Sequence, residues 1–216
     1  MIALDLFCGA GGAAKGIKNA GYEMVIGVDN VPQPNYPYEF IQMDALDFLA
    51  DGLDDFDFIW ASPPCQAYSV ASANRRNQGY AYADLVEITR HFILESGKPY
   101  IIENVPGAPL IDPVKLCGTM FPGKLKVFRH RMFESNVPLI IEMECRHEGH
   151  EAKKRRADNG DFFTVAGNWV GTIAEWSNAM GIDWMTKKEL AQAIPPLYSE
   201  YLVSQIIKHE GQIQLL

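Results

Sequence analysis

The sequence predicts an α/β protein built on a mostly parallel sheet, and three observations carry that expectation. In the first half, short apolar runs alternate with stretches of helical periodicity. The first run leads straight into a glycine-rich turn at Gly9, Gly11 and Gly12. Several runs end in acids or in a polar loop, where open α/β sheets gather their ligands.

Taken in order, residues 2–7 are apolar apart from Asp5 and read as a first strand. A tight turn over 9–12 leads to a helix over 13–20, stopped by Gly21. A second strand over 24–28 ends in Asp29, and Pro32, Pro34 and Pro37 then enforce a loop. A third strand is expected over 40–43, before Asp44, with a short helix over 45–50. A fourth strand over 56–61 runs into Ser62, Pro63, Pro64 and Cys65. A polar loop extends to about Gly79. Leu85, Ile88 and Phe92 recur at helical spacing and predict a helix over 83–95. A fifth strand over 99–103 carries Glu103 at its end.

Beyond Pro106, proline, glycine and basic residues interrupt the pattern, and only 138–142 and 162–166 look strand-like. The strongly polar stretch over 144–160 reads as a loop. Thr186 is placed to cap a helix over 187–193, with Glu189 as its capping-box partner. Pro196 opens a last helix to about residue 209.

The chain has 216 residues, 48% hydrophobic and 21% charged, a balance that supports one globular core. It has no apolar run of about 18 residues, so no membrane span is expected. Its start lacks a basic region and meets Asp5 early, unlike a signal peptide, and a cytoplasmic location is expected. Cys8, Cys65, Cys117 and Cys145 are too scattered for a disulfide framework and are read as reduced. The net charge of −8 disfavours tight nonspecific binding to nucleic acid. Phosphate contacts would have to come from local basic residues: Lys124, Lys126, Arg129, His130, Arg131 and the run 153–156. No long exposed apolar helix suggests a dimer, and a monomer is expected.

Gly9 to Ala14 match the glycine fingerprint of nucleotide sites, where backbone approaches the ligand and a helix start offers free N–H groups. Asp29 and Asp44 stand at strand ends, where an acid can accept ribose hydroxyls. This pattern does not separate a dinucleotide from S-adenosylmethionine. Two prolines stiffen the approach to Cys65, which reads either as a small buried hydrophobe or as an activated thiolate. Glu103 reads either as a satisfied strand-end acid or as a carboxyl group with a raised pKa.

Asp5-Leu6-Phe7-Cys8-Gly9-Ala10-Gly11-Gly12, then Pro63-Pro64-Cys65-Gln66, then Glu103-Asn104-Val105 occur in order. Together they resemble the DNA cytosine carbon-5 methyltransferase family. Residues 79–92, with Asp84, are similar to the family's fifth motif. Arg129 and Arg131 are similar to the arginine pair of the eighth, with Val127 where glutamine is usual. Residues 189–202 resemble a ninth and a degenerate tenth motif, and Gln192-Ala193-Ile194-Pro195-Pro196 departs from the usual segment there. The resemblance is closest to compact phage- or prophage-encoded members. It covers most of residues 1–135 and 180–207.

The resemblance implies a Rossmann-like, S-adenosylmethionine-dependent methyltransferase fold, with a seven-stranded type of sheet and helices on both faces. It implies a catalytic and cofactor-binding core over 1–136, a much reduced target-recognition region over 137–180, and C-terminal helices over 181–216 that return to the core. By the same token Cys65, Glu103, Arg129 and Arg131 would be catalytic. Asp5, Phe7, Gly9, Gly11, Gly12, Asp29, Asn30, Asp44, Ala45 and Pro63 would bind S-adenosylmethionine. Pro64, Gln66, Ser69, Asn104, Arg75 and Arg76 would meet the substrate. The partner would be DNA with its cytosine flipped out of the stack, as in restriction-modification systems. RNA, a free cytosine nucleotide, a modified donor or a catalytically silent binding role are the alternatives. A dehydrogenase would leave Pro63 to Gln66 without a purpose.

Cys145, His147 and His150 form a Cys-x-His-x2-His cluster, with Cys117 a distant fourth. The spacing is not that of a standard zinc finger, so a polar loop is expected and no metal. Trp169, Trp176 and Trp184 read as core residues.

Overall fold

The computed structural model describes residues 1–149, 161–167 and 169–213; His150 and the basic run 153–156 lie outside them. β1 (Ile2–Leu6) leads through the glycine turn into α1 (Gly12–Ala20), and β2 (Met24–Asp29), β3 (Glu39–Gln42) and α2 (Ala45–Asp51) follow. Next come β4 (Phe58–Ala61), a short α3 (Ala73–Asn77) within the polar loop, α4 (Val86–Ser96) and β5 (Tyr100–Asn104). The second half adds β6 (Val114–Leu116), β7 (Arg131–Ser135), α5 (Ile173–Met180), α6 (Lys187–Gln192) and α7 (Pro196–Ile213).

The sheet runs β3-β2-β1-β4-β5-β7-β6, and β7 is antiparallel to both neighbours. The strand order reverses between β1 and β4, so their carboxyl-end loops diverge and leave a crevice. Helices cover both faces. Ala3, Trp60 and Ile101 pack with α1 and α7, while Leu4, Leu6, Ile59 and Ile102 pack with α2 and α4. These strands are buried on both sides, which is why they read as apolar runs rather than alternating ones.

Local chemistry sets the element ends. Gly11, at φ 81°, starts α1 in a left-handed conformation that glycine adopts without strain. Asp44 caps α2 by accepting from the Leu46 amide at 2.9 Å. Thr172 with Glu175, and Thr186 with Glu189, form capping boxes at α5 and α6. Gly16 lets α7 lie against α1: a Cβ there would sit 2.0 Å from the Pro196 carbonyl oxygen. Ser199 then donates to the Ala13 carbonyl at 2.9 Å.

Two expected strands are absent from the described sheet. Residues 138–142 are extended, and Leu139, Ile141, Met143 and Cys145 alternate inward, but no strand pairs with them. Side chains of α7 take over the hydrogen bonds: Gln205 accepts from the Ile140 amide at 2.8 Å, and Tyr201 donates to its carbonyl at 3.1 Å. Residues 162–166 make only an isolated bridge, Val127 to Phe163. Conversely, β6, β7 and α5 were not expected. β7 reads Arg-Met-Phe-Glu-Ser, a charged pattern that hides a strand until β5 supplies its partner. Among the described residues no helix is long and apolar enough to cross a membrane.

Candidate active site

The crevice beside β1 and β4 is a cleft of about 610 Å³. One end is built from Phe7, Gly9, Gly12, Asp29, Asn30, Asp44 and Ala45, the other from Pro63, Pro64, Cys65, Gln66, Glu103 and Arg131. Two of the expected cofactor residues lie elsewhere. Asp5 is fully buried on the α1 side of the sheet, near the Tyr36 hydroxyl at 3.5 Å, and burial pushes its carboxyl well up. Gly11 faces the rings of Tyr36 and Pro37, which a Cβ would strike. Both therefore shape the glycine turn without lining the cleft.

Asp29 anchors that turn. Its carboxylate accepts from the Gly9 amide and the Val31 amide, each at 3.0 Å. Gly9 has φ 49° and nothing within 4 Å of where its Cβ would be, so the backbone is open to the cleft. Trp184 braces the turn from behind by donating to the Ala10 carbonyl at 2.8 Å. Of the other tryptophans, Trp176 is fully buried as expected, whereas Trp169 is half exposed.

Cys65 sits where β4 hands over to the proline-stiffened loop. Its carbonyl accepts from the Tyr68 and Ser69 amides, closing a turn directly behind the thiol. The thiol is half-buried. Burial pushes its pKa up, Arg131 pulls it down and Glu103 pushes it up again.

Glu103 projects from the end of β5 and is buried. Arg131 on β7 donates from Nε to its Oε1 at 2.8 Å, and the Ser62 hydroxyl also hydrogen-bonds to it. Burial raises its pKa, and Arg131, Arg129 and Ser62 oppose the rise without cancelling it. The carboxyl group can thus hold a proton more readily than an exposed glutamate.

Four other expected residues have bracing positions. Asn104 is buried and donates to the Pro63 carbonyl at 3.0 Å while accepting from the Val105 amide, which locks the loop before Cys65 to β5. Arg76 donates to the carbonyls of Gln66 and Ser69 at 2.7 and 2.9 Å and holds the loop after Cys65 together. Ser69 meets the Ser72 hydroxyl at 3.0 Å. Arg129 is turned inward and donates to the Val165 and Ala191 carbonyls. Burial, with Arg131 beside it, lowers its pKa to about 9. Of the arginine pair, only Arg131 reaches the cleft. Arg75 is exposed on α3, outside the cleft lining.

The far wall, Thr186, Lys188, Glu189 and residues 191–194, was not foreseen as part of the site. It comes from the other end of the chain. The capping box and the Pro195-Pro196 break were its readable signals, but neither says that α6 faces the glycine turn. A Cβ on Gly12 would lie 2.6 Å from the Ile194 carbonyl, which shows how closely the two segments meet.

Cys117, His130, Cys145 and His147 converge outside this cleft. His130 therefore sits in that cluster, and exposed Lys126 lies 3.3 Å from Asp161.

Residues 1–113 match the sequence profile of C-5 cytosine-specific DNA methylases. The type II methyltransferase M.DdeI of Desulfomicrobium norvegicum is 29% identical over 115 residues, covering 48% of this chain and 28% of the relative. M.HgiDI of Herpetosiphon aurantiacus is 32% identical over 51% of this chain and 38% of its own length. The match thus spans well under half of these two relatives. M.HgiGI, also from Herpetosiphon aurantiacus, is 31% identical over 51% of this chain and 94% of its own length. Among solved structures, a protein assigned as a DNA modification methyltransferase of an E. coli prophage superposes with a TM-score of 0.65 at 15% identity, over 98% of this chain and 99% of that one. The Dnmt2 methyltransferase of S. pombe superposes with a TM-score of 0.61 at 13% identity, over 97% and 99%. These two likenesses establish the Rossmann-like methyltransferase fold. With the profile matching more than half of its length, the chain belongs to the C-5 cytosine-specific DNA methylase family.

Proposed function

We propose that this protein transfers a methyl group from S-adenosylmethionine to carbon 5 of cytosine in DNA, with Cys65 as nucleophile. The observation that carries this reading is the meeting of Cys65, Glu103 and Arg131 in one cleft with the open glycine turn. The turn's end fits a nucleoside with a charged tail: Gly9 leaves backbone exposed, α1 begins beside it, and Asp29, Asn30 and Asp44 offer polar atoms. When bound, S-adenosylmethionine supplies an electrophilic methyl group on its sulfonium.

The chain's own residues prepare the base. Carbon 5 of cytosine is a weak nucleophile, and addition of the Cys65 sulfur at carbon 6 pushes electron density onto carbon 5. The thiol rests largely protonated, so its proton passes to solvent before it adds. Glu103, which burial makes readier to take up a proton, hydrogen-bonds ring nitrogen 3 and stabilises the charge that develops there. Arg131 orients Glu103 through Nε. Once the carbon-5 proton is lost to water, Cys65 leaves by elimination and the double bond returns. A stacked cytosine cannot enter this cleft, which requires a flipped or single-stranded base.

Residues 137–180 are the segment proposed to read the target. They are few, and among the described ones Trp176, Ala179 and Met180 are buried in the core. Low or short sequence specificity follows, or reliance on a single-stranded substrate or a partner; bisulfite sequencing that finds a site of five or more specified bases would count against it.

The test is incubation with labelled S-adenosylmethionine and DNA, alongside RNA of the same sequence and Cys65→Ser. Label should appear at cytosine carbon 5 of DNA and vanish in the serine variant. DNA carrying 5-fluorocytosine should trap a covalent adduct, because fluorine cannot leave as a proton. Transfer that survives Cys65→Ser, or that occurs on RNA alone, would overturn the reading.

A further inference from the structure

We propose that Cys117, His130, Cys145 and His147 form a structural zinc site that fastens the segment after β7 to the sheet. Their donor atoms all lie within 4.8 Å of one another. The closest approaches are sulfur to nitrogen: Cys117 Sγ to His147 Nε2 at 3.4 Å, Cys145 Sγ to His147 Nε2 at 3.4 Å, and Cys145 Sγ to His130 Nε2 at 3.2 Å. A tetrahedral zinc ion, with bonds of about 2.3 Å to sulfur and about 2.0–2.1 Å to nitrogen, holds such ligands about 3.5 Å apart. The three contacts match that spacing, and both imidazoles present the same nitrogen inward.

The chemistry of the set points the same way. Two thiolates and two neutral imidazoles balance a divalent ion, so the loaded site carries no net charge in its half-buried position. On binding, the two thiol protons pass to solvent. Four protein ligands leave no open position, which marks a structural rather than a catalytic ion. The surroundings support the ligands: Thr119 Oγ1 donates to Cys145 Sγ at 3.8 Å, and the Phe128 ring packs on His147 at 4.6 Å between centroids. The ligands come from the turn after β6, the residue before β7, and a segment with no helix or strand of its own. Cys145 and His147 lie beyond the hydrogen bonds that α7 makes to Ile140.

From the sequence no metal was expected, and Cys145, His147 and His150 were grouped with Cys117 a distant fourth. His150 lies outside the described residues; Cys117 does join Cys145 and His147, and His130 is the member the sequence did not suggest. No ordinary finger spacing exists because the ligands are separated by β7 and its flanking turns.

This proposal is independent of methyl transfer and is tested on the untagged full chain. After desalting, elemental analysis should find about one zinc per chain. Cys117→Ser and Cys145→Ser should lose the metal, whereas Cys8→Ser should keep it. Should the serine variants fail to fold, wild type stripped by a chelator and refilled with cobalt(II) decides the matter. Intense visible bands of tetrahedral cobalt with thiolate charge transfer are expected. Metal-free wild type that gives no such bands, or a disulfide between Cys117 and Cys145 found by mass spectrometry, would overturn it.

Discussion

Two buried glutamates meet arginines on opposite faces of the same pair of strands, and their environments differ. Glu103 on β5 stands opposite Phe133, and Glu134 on β7 stands opposite Ile102. Glu134 is fully engaged. Arg90 grips it with two bonds of 2.7 Å, Tyr100 donates at 3.0 Å and the Ile111 amide at 2.8 Å. Burial alone would raise its pKa, yet these partners hold it below the ordinary carboxylate range. Glu103 receives Arg131 and Ser62, lines the cleft, and its pKa stays raised. One carboxylate is satisfied and ties α4, β5, β7 and the loop at Ile111 together. The other is left short of partners at the place where a base would complete its bonding. The number of partners sets the two glutamates apart more clearly than burial does.

The largest test removes Glu103, the member proposed to act on the base. Glu103→Gln should lower methyl transfer by about 10²–10³-fold, the usual effect of losing one preorganised transition-state contact, with the fold intact by circular dichroism. The structural member should behave in the opposite way. Glu134→Ala leaves Arg90 buried without its partner and should cost about 3–5 kcal/mol in denaturant unfolding, with little effect on the activity of the folded fraction. Loss of activity without loss of stability in this variant would erase the distinction.

The pH dependence of stability sharpens it further. Glu134 has a lowered folded pKa, so its stabilisation is complete above the unfolded value of about 4.3 and fades as pH falls through the folded value. Glu103 has a raised one, so its contribution is complete below about 4.3 and is lost as pH rises through the folded value. Thermal melts across pH should therefore show a shallower acid limb in Glu134→Ala and a shallower decline toward neutral pH in Glu103→Gln. The smallest effect belongs to Tyr100→Phe, which removes one hydrogen bond to Glu134 and should cost about 1 kcal/mol without altering transfer.

The turn and loop features of the first half were readable because their signals are local. A glycine that must adopt positive φ, a proline pair before a cysteine, and acids at strand ends each act within a few residues. The Thr186 and Glu189 capping box was legible for the same reason. The site was legible in its chemistry but less so in its roles. Asn104 and Arg76 were expected to meet the substrate and Arg129 to be catalytic, yet each donates to backbone carbonyls, because a polar side chain turned into the fold must find partners wherever the chain supplies them.

From the residues alone came the order of β1 to β5, the loop that presents Cys65, and the family to which these motifs belong. Only the folded chain decided that Glu103 would be underbonded while Glu134 was not, that residues 186–194 would close the cleft, and that two cysteines and two histidines from separate segments would converge. Those outcomes depend on which strand lies beside which and how closely α7 packs on α1, and such contacts between distant residues leave no period or spacing in the sequence.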